Sequence, residues 1–302
     1  MNTRSIEVAL IAVGAFLVGC HPRLSSESCV PHPEHVIFVG FDGLTPRGLK
    51  GAKTPTVDKM ISEGTVAWNG RSILPSSSAC NWHSIFTCSA SEQHGFNAWD
   101  SKRPAFEPTA KLASGLYPDV FAVLRSTRPS AEIGLLYNWS GLAYCLDTNA
   151  CSYVCQAKDA QLAGLAADYI KSHRPAFLAV IYDSPDDIGH KMGNGGWDSP
   201  EYTNRVEELD VELGIILRAI EESGIAGDTV VVVSSDHGGL SGHGGALLSH
   251  MLRPVILRGP GVKVGYELAY GGTTYDLGAT FAMLLGVGHS AWIGRPLLDA
   301  FE

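Results

Sequence analysis

Three aspartates and three histidines in this sequence stand at positions that could gather divalent metal ions. Asp42 follows the apolar run His35–Phe41. Asp186 and His190 lie four residues apart in Pro185-Asp186-Asp187-Ile188-Gly189-His190. Asp236 and His237 are adjacent in Ser235-Asp236-His237-Gly238, and His243 sits between Gly242 and Gly244. Carboxylates and imidazoles without a thiolate suit Zn2+, with Mn2+ possible and Ca2+ less so because of the histidines. Six such side chains are more than one tetrahedral ion with an open position needs. The pattern therefore predicts two divalent metal ions roughly 4 Å apart. Each group taken alone has a plain reading: Asp42-Gly43 as a turn, Asp236 as a cap, His243 as a loop residue. Glycine borders each group and lets backbone approach closely, and their joint occurrence points to a metal site.

To converge, these residues must be brought to one edge. Apolar segments read as strands at His35–Phe41, Ala131–Tyr137, Phe177–Asp183, Thr229–Ser234 and Pro254–Leu257. Thr229–Ser234 is too apolar for a strand with a wet face. Between the strands lie helical patterns at Thr54–Gly64, from the turn Pro75–Ser78 through about Thr87, Pro118–Arg128, Lys158–His173, Pro200–Ser223 and Tyr275–Leu285. In Pro200–Ser223 the residues Val206, Leu209, Leu213, Ile216 and Ile220 recur every three or four positions. Strands alternating with helices predict an α/β fold: a mostly parallel central sheet sandwiched between helices. Ligands beyond the carboxyl ends of such strands share one crevice. No repeat or strong boundary follows residue 34, so 35–302 reads as one domain with small cap insertions.

The first 19 residues read as a secretory signal, with Arg4 ahead of an apolar run from Val8 to Val18. That run is too short to span a bilayer. Leu17-Val18-Gly19-Cys20 resembles a bacterial lipobox, which makes Cys20 a lipidated first residue, residues 20–34 a tether, and the periplasmic side of the outer membrane or the cell surface the expected location. Six further cysteines, Cys29, Cys80, Cys88, Cys145, Cys151 and Cys155, suggest disulfides in an oxidising compartment. Cys80 and Cys88 on one helix lie about 12 Å apart and are out of reach of each other. At least one bridge is expected among Cys145, Cys151 and Cys155. The formal charge of −9 over 302 residues argues against a protein that tracks nucleic-acid duplexes.

Ser76-Ser77-Ser78-Ala79-Cys80-Asn81 stands before the predicted helix through Thr87, and Glu92-Gln93-His94-Gly95 follows. With Phe41-Asp42-Gly43, Pro185-Asp186-x-x-Gly189-His190 and Ser235-Asp236-His237-Gly238 in the same order, the chain resembles the alkaline phosphatase superfamily. Its nucleotide pyrophosphatase/phosphodiesterase branch is the nearest match, over about residues 36–300. Arg258-Gly-Pro-Gly-Val262 and Gly294-Arg-Pro-Leu297 fit that branch's usual ending. The resemblance implies that Ser78 is the nucleophile and Asn81 binds a phosphate oxygen. It implies that Asp42, Asp236 and His237 hold the metal that activates Ser78, and that Asp186 and His190 hold the second. His243 is its expected third ligand and His250 the competitor.

The implied activity is a two-metal hydrolase of small-molecule phosphate esters working through phospho-Ser78. Direct coordination of the hydroxyl to a dication replaces the base of a catalytic triad. Alternatives on the same fold are a phosphomonoesterase and a sulfatase. The sulfatase reading lacks its Cys/Ser-x-Pro-x-Arg context. A surface lipoprotein that binds without turnover is the alternative from another class. No Lys or Arg stands in the nucleophile segment or the metal motifs, which favours monoanionic diesters over dianionic monoesters. Trp82, Trp99 and Trp197 are candidates for stacking on a substrate, although an aromatic is more often core or rim. His83 and His94 read as structural, and Asp187 as support for its neighbour.

Overall fold

A computed structural model describes residues 31–302. The expected signal, Cys20, Cys29 and most of the tether lie outside these residues. Eight strands form one sheet: β1 (His35–Phe41), β2 (Thr65–Arg71), β3 (Ile133–Tyr137), β4 (Tyr153–Gln156), β5 (Phe177–Tyr182), β6 (Thr229–Ser234), β7 (Leu252–Arg258) and β8 (Tyr266–Glu267). Their order is β4-β3-β5-β1-β6-β7-β2-β8. All neighbours pair in parallel except β7, which runs antiparallel to both β6 and β2. The expected mostly parallel α/β sheet is thus the one observed.

Central strands are buried on both faces because alternate side chains enter two different cores. Val36 and Phe38 of β1, Phe177 and Ala179 of β5, and Val230 and Val232 of β6 pack on one side. There they meet the helices Ser78–Thr87, Val120–Thr127 and Thr274–Leu284 through Trp82, Phe86, Phe121 and Phe281. Ile37, Val39, Leu178, Val180, Val231 and Val233 face the other way, toward the helices Pro55–Ser62, Asp159–His173 and Pro200–Glu222. This two-sided burial explains why these strands are continuously apolar. The long helix opens on Pro200 with Ser199 capping the Tyr202 amide, so its start is written locally.

β5, β1 and β6 are adjacent and parallel, so their carboxyl ends open on one crevice. Asp42, Asp183 and the Ser235–His237 segment follow directly from them. The expected disulfide among Cys145, Cys151 and Cys155 is not formed, and the five described cysteines are free thiols. Cys145 is buried against the Ala79 carbonyl of the Ser78–Thr87 helix. Cys151 precedes β4 and Cys155 lies within it, where extended backbone separates positions four apart by about 13 Å, beyond bridging distance. Among the described residues no helix is long and apolar enough to cross a membrane.

Candidate active site

Asp42 is held by the Ser78–Thr87 helix. Trp82, one turn after Ser78, donates its indole N–H to Asp42 Oδ2 at 2.8 Å. Gly43 takes a φ of +67°, and a Cβ there would stand 2.6 Å from Asp186 Oδ1, so only glycine lets the β1 turn touch the second ligand group. The Asp186 amide donates to the Asp42 carbonyl at 3.0 Å, locking the two strand ends together. Asp186 and His190 share one face of the short helix Asp186–Met192, where an i, i+4 pair meets. The sequence pattern for that helix is too short to be read in advance.

The ligand-type atoms lie at the spacing that coordination requires. Bonds of about 2.0–2.1 Å to a tetrahedral ion place ligand atoms about 3.3 Å from one another. Here His237 Nε2 is 3.3 Å from Asp42 Oδ1, 3.4 Å from Asp236 Oδ2 and 3.2 Å from Ser78 Oγ. In the second group Asp186 Oδ2 is 3.2 Å from His190 Nε2 and 3.6 Å from His243 Nε2, and the two imidazole nitrogens are 2.9 Å apart. His237 also lies within reach of Asp186 and His243, so the two groups adjoin.

Protonation chemistry supports the same reading. His237 Nδ1 stands 2.9 Å from the Gly238 carbonyl, and His243 Nδ1 2.9 Å from the Ser76 carbonyl. Each Nδ1 must donate there, which leaves the neutral ring's Nε2 lone pair aimed into the site. Asp42 Oδ1, Asp186 Oδ1 and Asp236 Oδ2 are buried and have no hydrogen-bond partner. Buried carboxylate oxygens are costly to leave unpaired, so a cation is the partner this geometry fits. Burial, then the neighbouring charges of Asp236, Asp186 and Asp183, push the Asp42 carboxyl well above its ordinary range. Burial pulls the His237 imidazole down. Burial opposes ionisation of Asp186, but the imidazoles of His190 and His243 beside it outweigh burial and hold that carboxyl below the ordinary range. A pocket this crowded with carboxylate favours positive charge at its centre.

Of the expected site residues, Asp42, Ser78, Asp186, His190, Asp236, His237 and His243 are brought together. His250 joins neither ligand group. Asn81 is a correction. It is fully buried, and its amide serves the loop before the helix rather than the cleft. Oδ1 accepts from the Ile73 amide at 2.7 Å and from the Thr274 hydroxyl at 3.2 Å, while Nδ2 donates to the Pro75 and Ser77 carbonyls at 3.1 Å each. The backbone groups of a buried loop must be satisfied, and Asn81 is the side chain that reaches them, so none of its atoms is left for a phosphate. Trp82 and Trp197 are likewise buried; the Trp197 ring backs His190 edge-on at 5.0 Å. His83 and His94 are core residues, as expected.

A cleft of about 470 Å³ opens over this edge, with Ser78, Asp186, His190 and His243 in its floor and Trp99, Trp139, Asp183 and Asp187 in its walls. Ser78 is half-buried at the first turn of its helix, where backbone N–H groups lack intrahelical partners and suit an anion. Trp139 was hidden from sequence reasoning: its Asn138-Trp139-Ser140 context reads as a sequon, and only the topology of β3 beside β5 brings it to the cleft.

Solved structures share this architecture. Murine ENPP5, an inactive variant in complex with AMP, superposes with a TM-score of 0.73 at 14% identity, covering 89% of this chain and 100% of that one. A 2-O GAG sulfatase gives 0.70 at 13% identity, covering 89% and 74%. Sheet and edge together show an alkaline phosphatase-like α/β architecture.

Within it, the model of the type I phosphodiesterase / nucleotide pyrophosphatase family matches residues 36–122 and 137–257, and the chain belongs to that family. Bis(5'-adenosyl)-triphosphatase ENPP4 of Bos taurus is 23% identical over 249 residues, 76% of this chain and 52% of that protein. Phosphopentomutase of Clostridioides difficile (strain 630) is 30% identical over 108 residues, 36% of this chain and 26% of that protein. The chain thus spans about half the length of the first curated relative and about a quarter of the second.

Proposed function

We propose that this protein hydrolyses phosphodiesters by attack of Ser78 on phosphorus, through a covalent phospho-Ser78. The observation that carries the reading is the set of ligand-atom separations, 2.9 to 3.6 Å in two adjoining groups, with the Ser78 hydroxyl belonging to one of them. Asp42, Asp236, His237 and Ser78 would hold one divalent ion, and Asp186, His190 and His243 the other, with Zn2+ the first candidate and Mn2+ the second. Bound dications would supply acidification of the serine hydroxyl and offset charge on the phosphoryl oxygens.

The chain's own groups do the rest. Ser78 Oγ lies 3.2 Å from His237 Nε2, so the hydroxyl and the imidazole would share one ion. First-turn amides of the Ser78–Thr87 helix face the phosphoryl oxygens, where charge grows in the transition state. The ester alcohol leaves, and water then hydrolyses phospho-Ser78 and restores the hydroxyl. No Lys or Arg stands among the cleft's lining residues, which supports monoanionic diesters over dianionic monoesters. The sulfatase fold neighbours favour a second reading, but Ser78-Ala79-Cys80-Asn81-Trp82 has neither the Pro nor the Arg of that chemistry. We place the enzyme in the bacterial envelope, anchored by a lipid on Cys20.

The test is kinetic and compositional. Ser78→Ala is expected to abolish turnover of bis-p-nitrophenyl phosphate while most of the bound metal survives, as measured by mass spectrometry. Full turnover in that variant sinks the assigned nucleophile.

A further inference from the structure

A second cavity, of about 580 Å³ against about 470 Å³ for the cleft, shares no lining residue with it. It lies between the helix Pro46–Gly51, β2 and the segment from Gly239 to Leu252. Pro46, Trp68, Leu240, Leu248 and Leu252 give it apolar walls, and among the described residues no Asp or Glu lines it. The pairing of β2 with β7 shifts register between Ala67 and Gly70, and an irregularity of this kind re-aims the side chains it brackets, here Trp68. Leu248 is 53% exposed and Leu247 beside it 60%, so the apolar lining runs out to the surface. Apolar surface held against water is costly, and an apolar body seated there would recover that cost.

Two cations stand at this cavity, and they are not equivalent. Arg47 is already paired with Asp198. Lys50 holds its Nζ 4.1 Å from the centre of the Trp68 ring, and among the described residues no carboxylate lies within ion-pair distance of it. The indole face takes one side of the ammonium, which has three N–H donors and so can still receive an oxygen anion. One free ammonium matches one carboxylate, whereas a phosphate chain would ask for more positive charge than it supplies. We infer that this cavity is a binding site, separate from the catalytic cleft, for a small amphiphilic carboxylate. Its carboxylate meets Lys50 at the mouth, and its hydrocarbon body lies between Trp68, Leu240, Leu248 and Leu252. The occupant would sit close behind the ligand groups, since Gly239 is two residues beyond His237 and Thr45 three beyond Asp42. A Cβ on Gly239 would stand 2.2 Å from the Trp197 ring, which in turn backs His190. The site does not depend on the phosphodiesterase reading.

The experiment titrates decanoate, kept well below micelle formation, into the zinc-loaded enzyme and follows the heat by isothermal titration calorimetry. One decanoate per chain is expected. Lys50→Gln should weaken it about fivefold, the upper end for an exposed ion pair, and decanol should bind the wild type no better than decanoate binds that variant. Leu248→Glu should abolish binding by placing a second anion in the wall. Lys50 and Leu248 are both exposed, so both variants are expected to fold, which circular dichroism checks. Saturating inorganic phosphate, a competitor for the ions beside Ser78, should leave the decanoate affinity unchanged. Displacement by phosphate, or equal affinities in the wild type and both variants, puts the carboxylate on the metal ions and overturns the inference. Decanol binding as tightly as decanoate, or no heat of binding at all, overturns it too. No ester need be cleaved in this titration, so loss of turnover in Ser78→Ala bears on the nucleophile alone and leaves the cavity's result standing.

Discussion

At the scale of single residues, what matters is which lone pairs are left over. His243 Nδ1 is bound to the Ser76 carbonyl, so its Nε2 has no role in the polypeptide except to meet Asp186 and His190. His243→Ala is therefore expected to lower the metal content from two ions per chain to one, read by mass spectrometry on dialysed protein. His250→Ala should leave it at two. Ligand residues were legible in the sequence because their types are rare neighbours of Gly at strand ends. Asn81 misled for a physical reason: the offset of three residues from Ser78 is real, but the amide is consumed by the loop that sets the serine. Asn81→Ala should leave inhibition by inorganic phosphate unchanged, since no phosphate contact is lost. The Ile73 amide would be stranded, lowering stability by about 1–3 kcal/mol in chemical denaturation.

At the scale of elements, helix starts and strand ends position the chemistry. The helix Val120–Thr127 is tied down by Asp119, whose Oδ1 accepts from the Ala122 amide and whose Oδ2 accepts from Asp147. Burial pushes the Asp119 carboxyl up to about 6 from 3.8. A raised carboxyl binds its proton more tightly when folded. Its contribution is complete below pH 3.8 and is lost as pH rises through about 6. Asp119→Asn should flatten the fall in unfolding free energy between those pH values, on the order of 3 kcal/mol, in urea titrations. Most long elements were readable from periodicity to within a residue or two. β2, β4 and β8 and the short helix Asp186–Met192 were not: β4, β8 and that helix are brief, and β2, though as long as β1, carries Trp68-Asn69-Gly70, which breaks the alternation. Their existence depends on neighbours that supply hydrogen bonds across the sheet.

At the scale of the whole molecule, the sheet brings three carboxylates together from positions nearly two hundred residues apart. Burying them near one another opposes folding unless positive charge compensates. Removing bound metal with a chelator should therefore lower the melting temperature. Adding back zinc at about a hundred times its dissociation constant should restore about 2.7 kcal/mol for each ion bound, followed by calorimetry. The residue types and their order along the chain were enough to point to the family, because its motifs need particular polar atoms with glycines beside them. Which atoms remain free is another matter. That Asn81 is consumed, that Trp139 enters the cleft and that the described cysteines stay apart were all decided by tertiary packing, since satisfaction of a polar group depends on contacts across the fold that no local pattern encodes.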